Sequence, residues 1–295
     1  MNTRIHATRL PLWAGFAVTL AIGVLAAAPM VFAAPAPVGL GTAKPFAVLA
    51  GTPAITSTGA TTITGDVGIS PGAAITGFPP GIITGTMHKA DAVALKAKTD
   101  LVTAYTDAAG RPLTATHTTL GGLTLVAGVY KSGGAVLDLT GTLTLNGQGN
   151  ANSVWVFQAT SSLVTASSSK VVLINGASPC NVFWQVTSSA TLGSGSTFVG
   201  TIMALTSITM ASGVTLNGRA LARNGEVTLI DDKITNGCSA GSAPAASAAS
   251  SGVPNTAFRP DSSNAGLTTT LFGLLLVLGL GALAVVDATM IRRRS

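Results

Sequence analysis

The sequence predicts a mainly β protein, a solenoid of short stacked strands accompanied by one long α-helix. Three observations point there. First, apolar centres recur at Leu163, Ala190, Ile208 and Val227, with steps of 27, 18 and 19 residues. A loose repeat of roughly 18–20 residues built of short strands and Gly turns is the signature of a β-solenoid. Second, a single Ala-rich segment carries helical periodicity. Third, only 9% of the 295 residues are charged while 47% are hydrophobic. That combination argues against disorder and suits a β-rich body whose surface is kept polar by hydroxyls.

The elements follow in chain order. Residues 1–34 read as a secretory signal: Arg4 and Arg9 precede the apolar run "LPLWAGFAVTLAIGVLAAAPM", and "VFAAPAP" offers small residues for cleavage after Ala33 or Ala34. An uncleaved N-terminal anchor is the alternative. The body spans 35–238. In it "TTITG" reads as a strand, with Thr62 and Thr64 flanking Ile63. The helix is expected over about 88–109, from His88 to Gly110, capped by Thr86 and ended by Gly110 and Pro112. Ala90, Ala94, Ala97, Leu101, Ala104 and Ala108 form one stripe at helical spacing, small enough to lie flat on a sheet. After it come the repeats. A second apolar centre follows each first one at eight residues, at Val171, Phe198 and Leu216, and slips by one at Ile234. The longest step holds an insertion that contains Cys180.

Cys180 and Cys238 are the only cysteines. In an exported chain an even, isolated pair predicts a disulfide, worth roughly 4 kcal/mol in the chain-entropy model for a loop this long. The bridge would pin the end of the body. Residues 239–266 form an Ala/Ser/Pro-rich linker that carries "VPNTA", Val253, Pro254, Asn255, Thr256 and Ala257. Residues 267–295 supply the apolar run Leu267 to Val286, about 30 Å long as a helix, and then Arg292, Arg293 and Arg294. This reads as a transmembrane helix with a cytoplasmic basic tail, which leaves the body outside.

Alternation along strands defines a candidate face. If Leu163, Ala190, Ile208 and Val227 point inward, Ser162, Ser189, Ser207 and Glu226 point outward on one side, and Val164, Thr191, Thr209 and Thr228 on the other. The candidate binding residues are therefore Thr62, Thr64, Ser162, Ser189, Thr191, Ser207, Thr209 and Thr228. Ser and Thr are also ordinary solvent-facing strand residues, so the pattern alone does not assign a ligand.

Several function classes are disfavoured. The net charge of +6 includes five arginines at the two ends, and the rest is scattered without interleaved aromatics, so no nucleic-acid partner is expected. The acids and histidines of the body, Asp66, Asp138, Glu226, Asp231, Asp232, His88 and His117, do not cluster, and Asp231 and Asp232 on a strand would point to opposite faces. No catalytic residue, metal or cofactor is expected. Trp155 and Trp184 are candidate sugar platforms, but "VWVFQ" and "VFWQV" read as core strands.

The motifs also carry a resemblance. "LGTAKPFAVLAG", "TGDVGISPG", "TGFPPG", the Ala-rich helix, "DAAGR", "LGGLTLVAGVYK", "CNVFWQVTSSATLGSGSTFVGTIMALTSITM" and "LNGRALARNGEVTL" occur in this order. Together they resemble the microbial ice-binding-like (antifreeze) protein family over about residues 38–236. The resemblance implies a discontinuous right-handed β-solenoid of triangular section, with the helix packed along one face and an ice crystal surface bound on another, flat face. Some members carry Thr-Ala/Gly-x-Thr/Asn steps; here "TGAT", Thr58 to Thr61, fits and "TASS" at Thr165 approaches it. The C-terminal end resembles a cell-wall sorting signal, which implies a sortase and the cell wall as partners; a plain membrane anchor is the alternative. The expected protein is a monomeric, non-enzymatic ice binder on the cell surface. A glycan- or protein-binding adhesin on the same scaffold is the second reading.

Overall fold

A computed structural model of the chain describes residues 35–238. The predicted signal segment, the linker with Val253–Ala257 and the predicted transmembrane helix lie outside the described residues. Within the described residues no helix is long and apolar enough to cross a membrane. The body is mainly β, with parallel strands throughout and one α-helix.

The chain visits three parallel ladders in turn. One passage shows the plan: Val182–Val186 lies in the first ladder, Ala190–Leu192 in the second, and Thr197–Ala204 begins in the third and bends into the first. The bend falls where Gly200 pairs with Gly218 in the next strand. Both have positive φ, and a Cβ on Gly218 would sit 1.9 Å from the Gly200 carbonyl oxygen. Only glycine permits so close a backbone crossing.

Stacking order is not sequence order. In the second ladder the strands run Val136–Leu139, Ser162–Thr165, Ala190–Leu192, Ile208–Met210, Val227–Ile230, and then Ala54–Thr58 and Ala74–Thr76. The N-terminal strands thus stack on the C-terminal ones. The same junction recurs in the third ladder, where Lys233–Thr235 pairs with Thr62–Thr64. In the first ladder, Phe46–Ala50 pairs with Thr215–Ala222.

The helix makes this order possible. It follows Met87–Lys89 at one end of the first ladder and precedes Ala115–His117 at the other. Its 18 residues span about 27 Å, enough to carry the chain back along most of the stack. It runs Ala92–Ala109, not from His88. Asp91 is the cap, accepting from Ala94 N at 2.8 Å, whereas Thr86 gives its N–H to Asp66. Residues 87–89 form a strand on Asp66–Ile69, a pairing that local helical periodicity cannot reveal.

The inward stripe is Ala94, Ala97, Leu101, Ala104, Tyr105 and Ala108. It packs on the outer side of the first ladder, against Leu49, Val129, Val156, Phe183, Met203 and Leu221. Those strands are therefore buried on both sides, which is why "FAVLA", "WVFQA" and "VFWQV" are buried at every position and apolar at all but Gln158 and Gln185. Lys98 fastens the helix further, donating to the carbonyls of Ala222 and Arg223.

The central core lies among the ladders. Tyr130, Phe157, Trp184 and Phe198 form an aromatic column in it, with Phe157 and Trp184 stacked at 4.1 Å. Trp155 and Trp184 are fully buried, and their indoles donate to the Leu125 and Val199 carbonyls. Neither is exposed as a sugar platform. Cys180 and Cys238 form a disulfide that ties the segment after Lys233–Thr235 to the turn Pro179–Asn181.

Candidate functional site

The outward residues of the second ladder are all exposed or half-buried. Its inward positions are Leu137, Leu163, Ala190, Ile208, Val227 and Ile55, all buried, followed by the half-buried Ile75. These side chains pin the strands from within. Two outward columns flank them. One contains Val136, Ser162, Ser189, Ser207, Glu226, Ala54 and Ala74. The other contains Asp138, Val164, Thr191, Thr209, Thr228, Thr56 and Thr76.

Five consecutive strands therefore put a threonine at one register position. At the usual strand spacing they cover about 19 Å. Thr191 and Thr76 are exposed, and Thr209, Thr228 and Thr56 are half-buried by their neighbours. The Thr56 and Thr228 hydroxyls lie 3.5 Å apart across the junction between N-terminal and C-terminal strands. The array thus continues through the point where the chain itself is discontinuous.

The sequence-predicted residues divide. Thr191, Thr209 and Thr228 lie together in the threonine column. Ser162, Ser189 and Ser207 lie together in the other, where the Ser189 hydroxyl accepts the Ser207 N–H at 3.4 Å. Thr62 and Thr64 do not join them: they lie in the third ladder, paired with Lys233 and Thr235. Ile63 is the second apolar centre of its coil, eight residues after Ile55, as Phe198 follows Ala190. Thr56 and Thr76 were missed in their place. The signal was present, since Ala54-Ile55-Thr56 and Ala74-Ile75-Thr76 repeat 20 residues apart.

The Thr-x-x-Thr steps do not form a surface array either. Thr58 is exposed, but Thr61 is buried and accepts the Asp232 N–H. Thr165 is buried, and its hydroxyl accepts the Gly193 N–H at 2.9 Å.

Carboxylates serve the turns. Asp231 and Asp232 lie in the turn between Val227–Ile230 and Lys233–Thr235, not on a strand. Asp231 accepts from Ala60 N at 2.7 Å, and Asp232 accepts from Val214 N and Ile230 N. Burial pushes the Asp232 carboxyl up to about 7, against the pull of those two N–H donors. His88 is bonded to Asp91 at 2.7 Å beside the helix cap. Glu226 is the one charged residue of the serine column, and Asp138 stands at the far end of the threonine column, two strands from Thr191.

This surface can present methyl and hydroxyl groups at fixed spacing, on stiff β-branched stems, over a backbone locked by buried side chains. A model of the family described as ice-binding-like matches residues 48–235. The chain belongs to the ice-binding-like family. The matched span takes in all five threonines of the column and the third-ladder strands Thr62–Thr64, Ile82–Thr84 and Lys233–Thr235.

An ice-binding protein of Nostoc sp. (strain HG1) is 48% identical over 204 residues, covering 68% of this chain and 74% of that protein. One of Flavobacterium frigoris (strain PS1) is 37% identical over 215 residues, 67% of this chain and 76% of its own. Among solved structures, an ice-binding protein from an Antarctic biological consortium superposes with a TM-score of 0.68 at 47% identity. It covers 70% of this chain and 95% of its own. That of the Antarctic ascomycete Antarctomyces psychrotrophicus gives 0.65 at 45% identity, covering 68% and 98%.

Proposed function

We propose that this chain binds ice through the outward face of the second ladder, on a right-handed β-solenoid of triangular section. The observation that carries this reading is the unbroken column Thr191, Thr209, Thr228, Thr56 and Thr76. Ice offers neither charge nor pocket, so a binder needs a rigid plane of regularly spaced groups. Threonine hydroxyls hold water in register while the methyls disfavour competing hydration. Charged side chains would keep their own shells, and no charged side chain interrupts those five positions. The serine column contributes the edge of the same face, with Glu226 its one charged residue.

The sequence ends support export through residues 1–34 and retention at the cell surface by the C-terminal segment, through Thr256 and a sortase or through the membrane helix. In that setting ice binding holds a cell to ice or restrains crystal growth around it.

The test is thermal hysteresis and ice-affinity partitioning for Thr191→Tyr and Thr209→Tyr, with circular dichroism melts alongside. A bulky ring in mid-column breaks the plane, so both variants should lose the part of the activity that this face supplies. Outward substitutions change stability by about 0.5 kcal/mol or less, so the melts should barely move. Full activity in both, with folding intact, would place the ice contact elsewhere.

A further inference from the structure

We propose that one half of the third ladder is a second ice-contacting face, joined to the first along a shared corner; the inference rests on the ice-binding reading above. The third ladder stacks Thr215–Ala222, Lys233–Thr235, Thr62–Thr64 and Ile82–Thr84 in unbroken register. One outward column is Asn217, Thr235, Thr64 and Thr84. The other is Thr197, Thr215, Lys233, Thr62 and Ile82. Between them the inward residues Phe198, Leu216, Ile234 and Ile63 are buried, so these strands are held as firmly as those of the second ladder. Of the polar outward residues only Thr235 is half-buried; the rest are exposed.

The two faces repeat together. A single coil carries Thr209 on the second ladder and Asn217 on the third; the next three carry Thr228 with Thr235, Thr56 with Thr64, and Thr76 with Thr84. The turns between the faces are fastened across coils. Asp232 N reaches the Thr61 hydroxyl, Thr62 N donates to Asp232 O at 2.8 Å, Asp231 holds Ala60 N, and Asp232 holds Val214 N. The angle between the faces is therefore fixed by hydrogen bonds, those of Asp232 to Thr61 and Val214 being buried, and two rigid planes meet at one edge.

The other half of this ladder does not qualify. Lys170–Ile174 meets Thr197–Ala204 only at Lys170 and Thr197, and it exposes Val172 and Ile174. In the favoured half one residue works against the role. Lys233 stands between Thr215 and Thr62, and its ammonium keeps its own hydration.

Two variants of the full chain test this, with fluorescent labelling of the planes of a single ice crystal and thermal hysteresis as readouts. Thr64→Tyr should erase one set of labelled planes and leave the set bound by the second ladder. Lys233→Thr should raise hysteresis by completing a run from Thr197 to Thr62, a gain that misfolding cannot imitate. Wild-type planes and hysteresis in both variants, with Thr209→Tyr abolishing ice binding, would overturn the second face and leave the first standing. Loss of all planes in Thr64→Tyr at an unchanged melt, with Thr209→Tyr fully active, would keep the third-ladder face and overturn the assignment of the second. A wild-type chain that labels no plane would overturn both.

Discussion

At the scale of single residues, what decides the surface is which side of a strand a threonine occupies. Thr56 and Thr165 are both threonines in the second ladder, yet Thr56 faces out and Thr165 is buried on a backbone N–H. Composition cannot separate them; register can. Asp232 offers a test of the buried corner. Its carboxyl is pushed from 3.8 up to about 7, with burial the first cause and Asp231 adding to it. The folded chain therefore keeps a proton that the unfolded chain releases. Its contribution is full below roughly pH 4 and is lost as pH rises to about 7. Asp91 and Asp100 act in the opposite sense, since hydrogen bonds hold their carboxyls below the usual range. The comparison must therefore be between variants. Across that interval Asp232→Asn should remove the rise of melting temperature on acidification that Asp232 supplies. Parallel pH profiles for the two proteins would refute the assignment.

Among the elements, the helix and the repeated strands were legible in the sequence to different depths. The Ala stripe foretold a helix lying on a flat surface, because only small side chains let a helix approach strands closely. Its start was not legible, since Met87–Lys89 is claimed by a neighbour 20 residues earlier in sequence. The apolar centres from Leu163 to Val227 gave the second ladder directly. The place of "TTITG" was misread because Ile55-Thr56 and Ile63-Thr64 look alike locally; only the eight-residue offset within a coil separates them. A prediction follows from the stripe. Ala97 is fully buried against the first ladder. Ala97→Leu should cost about 1–3 kcal/mol by overpacking while leaving the remote threonine column active once folded. A denaturant titration reads the cost, and an unchanged midpoint would show that the helix has room to lift.

For the molecule as a whole, the order of stacking could not be read from the repeat. Periodicity reports which residues are equivalent, not which coil lies on which. That N-terminal strands cap the C-terminal ones is a long-range fact, carried by pairings such as Thr56 with Thr228 and Thr62 with Lys233. The disulfide was legible as an isolated pair, but its placement has a mechanical meaning. The described residues end at Cys238, three residues past the three-residue strand Lys233–Thr235. Any pull on the C-terminal segment would, without the bridge, act on that short strand and peel it from Thr215–Ala222 and Thr62–Thr64. With the bridge, tension passes to the turn Pro179–Asn181 and into Val182–Val186, which is held between two strands of the first ladder. In single-molecule stretching from the C-terminus, the oxidised protein should resist until the body fails as a unit. After reduction an early, small extension at low force should appear as Lys233–Thr235 detaches. Identical traces in the two states would show that the load never reaches the bridge. The crosslink then works as a strain relief, moving the point of load from a strand of three residues to one of five.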